Sequence, residues 1–237
     1  MFVKRTNSTN TLLRELIAQG NPPQFIYAGY QTAGRGQTGN SWESEEGKNL
    51  LCSILLPPRK ELFELNVITA VAVQRLLGED FTIKWPNDIY WGNKKVAGIL
   101  IENAIIGNEV KYSTAGIGLN VNQTEWQSDA PNPISLKQIT GKEYDIDALM
   151  QQLYAEVQKA LQEDVWDYYK AHLYRSEGFW RFVEREVSVA PTMNAGTQTQ
   201  GQFMARIKDV LPNGELVLED QEGKERNYHF KQIRYVI

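Results

Sequence analysis

The chain has 237 residues, of which 42% are hydrophobic and 23% charged, and 25 basic against 29 acidic side chains give a formal charge of −4. This composition supplies a core that needs neither metal nor disulfide, and the acidic balance argues against a chain-wide nucleic-acid footprint. Cys52 is the single cysteine, and His172 and His229 lie far apart, so an intramolecular disulfide is excluded and a zinc site is not expected.

The N-terminal "MFVKRTNSTN" lacks the apolar segment of a signal peptide, and no run approaches membrane-spanning length, so the expected location is the cytoplasm. "NSTNTLLRELIAQG" predicts a helix with Leu12, Leu13, Leu16 and Ile17 on one face. Ser8 or Thr9 would be its N-cap, and Gly20 with Pro22 its stop. "QFIYAGYQ" predicts a strand, followed by "YQTAGRGQTGNSWES" (Tyr30 to Ser44), which holds three glycines and one arginine. The apolar run "NLLCSILL" predicts a strand covered on both faces, with Cys52 as a buried, inert thiol. Leu62 to Gly78 reads as a helix with Val67, Ala70, Val71 and Val73 on its apolar side.

"FTIKW", "DIYWGNKKVAGILIE" and "EVKYSTAGIGLNVN" follow as strands, with a hairpin at Gly92-Asn93. One long amphipathic helix is expected from about Asp147 to Tyr169. From Arg185 onward only short strands are predicted: "EVSVA", "GQFMARIKDV", "GELVLED", "RNYHF" and "IRYVI", with a turn at Pro212-Asn213-Gly214. The pattern indicates an α+β fold with a mixed, largely antiparallel sheet over residues 1–183 and a small β-barrel over 184–237.

Taken singly, the motifs are ambiguous. Glycines let successive amides converge on an anion, and Arg35 adds forked donors, which suits a phosphate or adenylate; a mobile surface loop is the competing account. "KWPND" sets Lys84, Asn87 and Asp88 around a proline, but is also an ordinary turn. Lys94 and Lys95 read equally as a solvated hairpin edge. "GIGLNVN" is compatible with a glycine bulge carrying Asn120 and Asn122.

Together, "STN", "GYQTAGRGQTGNSW", "KWPND", "KKVAGIL" and "AGIGLNVN", in this order through residues 1–125, resemble the biotin–protein ligase family. The resemblance implies a class II aminoacyl-tRNA-synthetase-like catalytic domain followed by an SH3-like barrel. It implies conversion of biotin and ATP to biotinyl-5′-adenylate and pyrophosphate. The biotinyl group then passes to a lysine on the biotin carboxyl carrier protein of a carboxylase. "STN" begins at Ser8, so the resemblance points to the monofunctional form, without a DNA-binding domain or repressor role.

Residue by residue, the resemblance makes Arg35, Lys95 and Asp88 catalytic. It assigns Ser8, Thr9, Asn10, Gln31, Gly34, Arg35, Gly36, Gln37, Lys95 and Gly98 to biotin. Arg35, Trp42, Lys84, Asn87 and Asn120 go to ATP, and the amides of Gly34 and Gly36 to carboxylate and phosphate oxygens. Mg2+ follows from the ATP chemistry, with Asp88 as a candidate ligand or a turn residue. Two departures stand out: relatives often carry a second arginine where this chain has Gln37, and a basic residue where it has Asn40. The alternatives are a lipoate–protein ligase, which shares the fold and adenylation chemistry, and a catalytically idle biotin-binding protein. Members occur as monomers and homodimers, and no interface pattern stands out here. No membrane partner is expected.

Overall fold

A computed structural model describes residues 1–37, 40–107, 109–127, 132–185 and 199–237. In chain order its elements are β1 (Phe2–Val3), α1 (Thr9–Ala18), β2 (Phe25–Ala28), β3 (Leu50–Leu56), α2 (Glu64–Leu77), β4 (Phe81–Lys84), β5 (Asp88–Trp91), β6 (Lys94–Ile106) and β7 (Glu109–Leu119). These are followed by α3 (Leu136–Thr140), α4 (Ile146–Ala160), α5 (Trp166–Ala171), β8 (Trp180–Arg185), β9 (Thr199–Val210), β10 (Leu216–Asp220), β11 (Glu225–Tyr228) and β12 (Ile233–Tyr235). Seven strands form the first sheet in the order β1-β2-β3-β7-β6-β5-β4. Only the β1–β2 pair is parallel, so the sheet is mixed and largely antiparallel, as expected.

Both faces of this sheet are covered, which is why β3 is apolar without alternation. Leu50, Cys52, Ile54 and Leu56 join the main core with Val67, Val71, Met150 and Leu153 of α2 and α4. Burial pushes the Cys52 thiol far above its ordinary range, consistent with an inert core residue. The other face carries α1. Its buried residues are Thr9, Asn10 and Leu13, whereas Leu12, Leu16 and Ile17 are only half-buried. The expected apolar face of α1 is thus narrower, and its polar first turn is more deeply packed.

The predicted helix over 147–169 is two helices. α4 stops at Ala160, and Asp164 Oδ1 accepts from the Trp166 N–H to start α5. Aspartate competes for backbone donors and favours a cap over a helix interior. The break lets Trp166 and Tyr169 pack on Phe63, with ring centroids 6.1 and 6.4 Å apart. α3 was not anticipated, although Ser135 and Gln138 form a reciprocal capping box at its start.

The second sheet is antiparallel, in the order β11-β10-β9-β8-β12. Among the described residues it does not close into a barrel: β11 and β12 are its two edges, each bonded to one neighbour only. The expected strand over 186–190 lies outside the described residues. β8 spans Trp180–Arg185 and pairs with β9, so the expected boundary between residues 183 and 184 falls inside a strand of this sheet. This sheet docks on the "KWPND" segment. Trp85 Nε1 donates to Gly214 O at 3.1 Å, and Trp85 lies 6.1 Å from the Phe230 ring. Among the described residues no helix is long and apolar enough to cross a membrane.

Candidate active site

Strand alternation decides which side chains face α1. Successive residues point to opposite faces, and the pairs Gly98↔Gly118 and Leu100↔Gly116 on β6 and β7 put two glycine positions side by side. Ser53 of β3 stands opposite Gly116. The result is a cleft, open at its mouth, between the sheet, the first turn of α1, the glycine loop and the "KWPND" turn. Phe230, from the second sheet's β11–β12 connection, also lines it.

The start of α1 supplies a fixed polar wall. Ser8 is its N-cap residue, but the side chain makes no capping hydrogen bond, so the hydroxyl is not spent on the helix. Thr9 donates its N–H and its hydroxyl to Gln31 Oε1 at 2.8 and 3.1 Å. Ser53 Oγ donates to Asn10 Oδ1 at 2.5 Å and stands 2.8 Å from Thr9 Oγ1. Asn10 Nδ2 reaches Glu102 Oε2 at 2.8 Å. Ser53 is fully buried, so Ser53→Ala leaves Asn10 Oδ1 without its donor. The expected cost is about 1–3 kcal/mol of stability, read as a lower urea midpoint at unchanged slope; an unaltered midpoint would mean that the contact is dispensable.

The glycine loop folds on itself. Gly36 N donates to Asn40 O at 2.9 Å and Trp42 N to Gly34 O at 3.0 Å. A Cβ on Gly34 would lie 2.6 Å from Trp42 O, so glycine serves the close approach of two backbone arms. The Gly36 amide, expected to face an anion, is therefore engaged within the loop. Arg35 enters the cleft lining, with Nη2 3.2 Å from Glu102 Oε2 and from Thr11 Oγ1. Thr38 and Gly39 lie outside the described residues.

Trp42 rests on the glycine floor. A Cβ on Gly118 would stand 2.6 Å from its Nε1, and one on Gly98 would stand 2.8 Å from its Cζ3. Lys95 Nζ lies 5.4 Å from the Trp42 ring and pairs with Asp88 Oδ1 at 2.7 Å. Gln37 also lines the cleft, and its Oε1 is buried without a hydrogen-bond partner, as is Trp42 Nε1.

Lys84 lines the cleft, with Nζ 5.3 Å from the Tyr90 ring and 4.9 Å from the Tyr235 ring. Burial lowers its pKa, and the Asp88 carboxylate opposes that shift. Asn87 is in the lining, but its Nδ2 is bonded to Ile99 O, which ties the turn to β6. Asn120 is not in the lining. It is buried, and its Nδ2 donates to Ile134 O at 3.1 Å and to Lys95 O at 3.4 Å. Its observed contacts hold the backbone that carries Lys95, because the chain folds Ile134 back over this position. Among the described residues no cluster of three His, Cys, Asp or Glu could hold a metal. Among the described residues Asp88 is the one acidic residue of the lining, a donor set that fits Mg2+ only when phosphate oxygens supply most of the ligands.

The cleft thus brings together Ser8, Thr9, Asn10, Gln31, Arg35, Gly36, Gln37, Trp42, Lys84, Asn87, Asp88, Lys95 and Gly98 of the expected set. It adds Phe230 to the lining, and Ser53 and Glu102 stand behind the lining residue Asn10; sequence reasoning missed all three. Ser53 carried a signal, being the lone hydroxyl in an apolar run.

Residues 2–120 match the model of the biotin/lipoate A/B protein ligase family. The chain is 31% identical to the bifunctional ligase/repressor BirA of Bacillus spizizenii, over 94% of this chain and 70% of that protein. It is also 31% identical to the biotin–[acetyl-CoA-carboxylase] ligase of Paracoccus denitrificans, over 61% of this chain and 65% of that one. In fold it is similar to the biotin protein ligase of Aquifex aeolicus solved with biotin and ATP, with a TM-score of 0.77 at 24% identity, covering all of this chain and 98% of the other.

Proposed function

The chain belongs to the biotin/lipoate A/B protein ligase family, and from that premise we propose that its cleft joins biotin to ATP and passes the biotinyl group to a lysine of a carboxylase carrier protein. The single observation that carries this reading is the entry of Arg35 and Lys95, from separate segments, into one cleft beside a wall of neutral donors and acceptors. A carboxylate oxygen attacks the α-phosphorus of ATP, the new C(O)O–P bond forms, and the bond to the pyrophosphate leaving group breaks. Both reactants are anions. Fixed cations lower that repulsion and stabilise charge growing on the phosphoryl oxygens. The lysine amine of the carrier then attacks the acyl carbon, AMP leaves, and the amine loses its proton.

Ser8, Thr9, Asn10 and Gln31 offer the neutral hydrogen-bonding groups that a ureido ring requires. Lys84 and Asn87 face the nucleotide side, and Asp88 would help hold Mg2+ bound to the ATP phosphates, whose charge the ion would offset. The location proposed is the cytoplasm, where ATP and carboxylases are found. Biotin is favoured over lipoate because the named relatives are biotin ligases. Exchange of radiolabelled pyrophosphate into ATP tests this: biotin is expected to support exchange and lipoate is not. Exchange with lipoate alone would reverse the assignment, and biotin binding without exchange would indicate an idle binding protein.

Gln37 can hydrogen-bond the adenylate but cannot neutralise it. Gln37→Arg is expected to slow release of preformed biotinyl-adenylate by roughly tenfold or more, the worth of one charge-assisted hydrogen bond. Equal release rates would reject this role.

A further inference from the structure

Two polar groups border the cleft, one at the start of α1 and one in the glycine loop. They meet at a carboxylate that is not itself part of the lining. Glu102 Oε2 accepts from Asn10 Nδ2 at 2.8 Å and from Arg35 Nη2 at 3.2 Å. Arg35 and Asn10 line the cleft, and Glu102 stands behind them. On β6 it is the next same-face position after Gly98 and Leu100, opposite Thr114 of β7. Thr11 Oγ1, 3.2 Å from the same Nη2, completes the hold on that corner of the guanidinium.

A guanidinium is a planar fork, so holding one corner orients the others. We propose that Glu102 is a positioning residue for adenylate formation: it aims Arg35 at the reacting carboxylate and phosphate through the oxygen that also fixes Asn10. The vitamin wall and the anion-binding loop thereby share one anchor. The inference rests on the biotin-ligase reading. With side chains 40% and 24% exposed, the Arg35–Glu102 pair adds little to fold stability, so its contribution should appear in rate. Misplacement of a catalytic group by about 1 Å costs on the order of 100-fold.

The test is a double-mutant cycle on full-length protein, followed by biotin-dependent pyrophosphate exchange and by equilibrium binding of biotin. Glu102→Gln keeps the shape and removes the charge. It is expected to lower kcat by about 10- to 100-fold while biotin affinity changes less than about threefold. In an Arg35→Met background the same change is expected to alter kcat less than about twofold. Glu102→Asp, which keeps the charge one methylene further back, should give the same pattern at smaller amplitude and replaces Glu102→Gln if that variant does not fold. Equal losses in both backgrounds, or a loss confined to biotin affinity, would overturn the inference. Absence of exchange in the wild type would overturn the ligase reading itself, and this inference with it.

Discussion

Lys95→Met is expected to lower biotin-dependent pyrophosphate exchange by about 10²–10³-fold, the usual loss when one group that stabilises transition-state charge is removed. The backbone of Lys95 is held from both sides: its N–H donates to Asn132 O at 2.8 Å, and its carbonyl accepts from Ile134 N at 3.0 Å. The substitution therefore leaves the hairpin in place and deletes only the ammonium. Asp88, 2.7 Å away, pairs with that ammonium, and the incoming carboxylate and phosphates supply stronger anionic partners. Because the contact strengthens as charge develops, kcat should fall more than biotin affinity. Lys95→Arg should not restore activity, since a planar fork cannot replace a point charge on this stem. Full activity in Lys95→Met, or a change in KM alone, would remove Lys95 from the chemistry.

Gly118→Ala should lower kcat/KM for biotin by about 5- to 100-fold, corresponding to roughly 1–3 kcal/mol for one methyl group forced into a filled site. The new Cβ would stand 2.6 Å from Trp42 Nε1, in the stretch of sheet shared with Gly98. Trp42 is tied at its own backbone to Gly34, so any backbone shift that frees the indole also moves the loop that carries Arg35. A ligand lying on the same floor would meet the same methyl group. Either occupant needs the surface flat. Comparison of kcat/KM with the thermal midpoint separates the two effects: a lost midpoint with normal kcat/KM would mean that the floor serves packing alone.

The elements were legible where one local rule governed them. An unbroken apolar run gave β3, and Gly92, with φ of 53°, turns the β5–β6 hairpin where Gly92-Asn93 had indicated. The break at Asp164 was missed because apolar periodicity continues across it, and only the Asp164 side-chain hydrogen bond to the Trp166 N–H and the packing on Phe63 interrupt the helix. The site divides in the same way. Arg35, Lys95 and the first turn of α1 were legible through motif order. Glu102 and Ser53 were not, because their meaning comes from partners 92 and 43 residues away. Asn120 was assigned to ATP through its match to the family motif; its Nδ2 donates to main-chain carbonyls, and its buried Oδ1 has no partner. Phe230 reaches the cleft only because a second sheet docks on Trp85.

A crystal structure of the protein soaked with biotin and ATP interrogates the site where all of this converges. The cations of loop and hairpin should lie within about 3 Å of oxygens at the acyl–phosphate junction, the reach of charge-assisted hydrogen bonds, with the vitamin ring against Thr9, Asn10 and Gln31. Density for both ligands elsewhere, with neither Arg35 nor Lys95 touching them, would contradict the account.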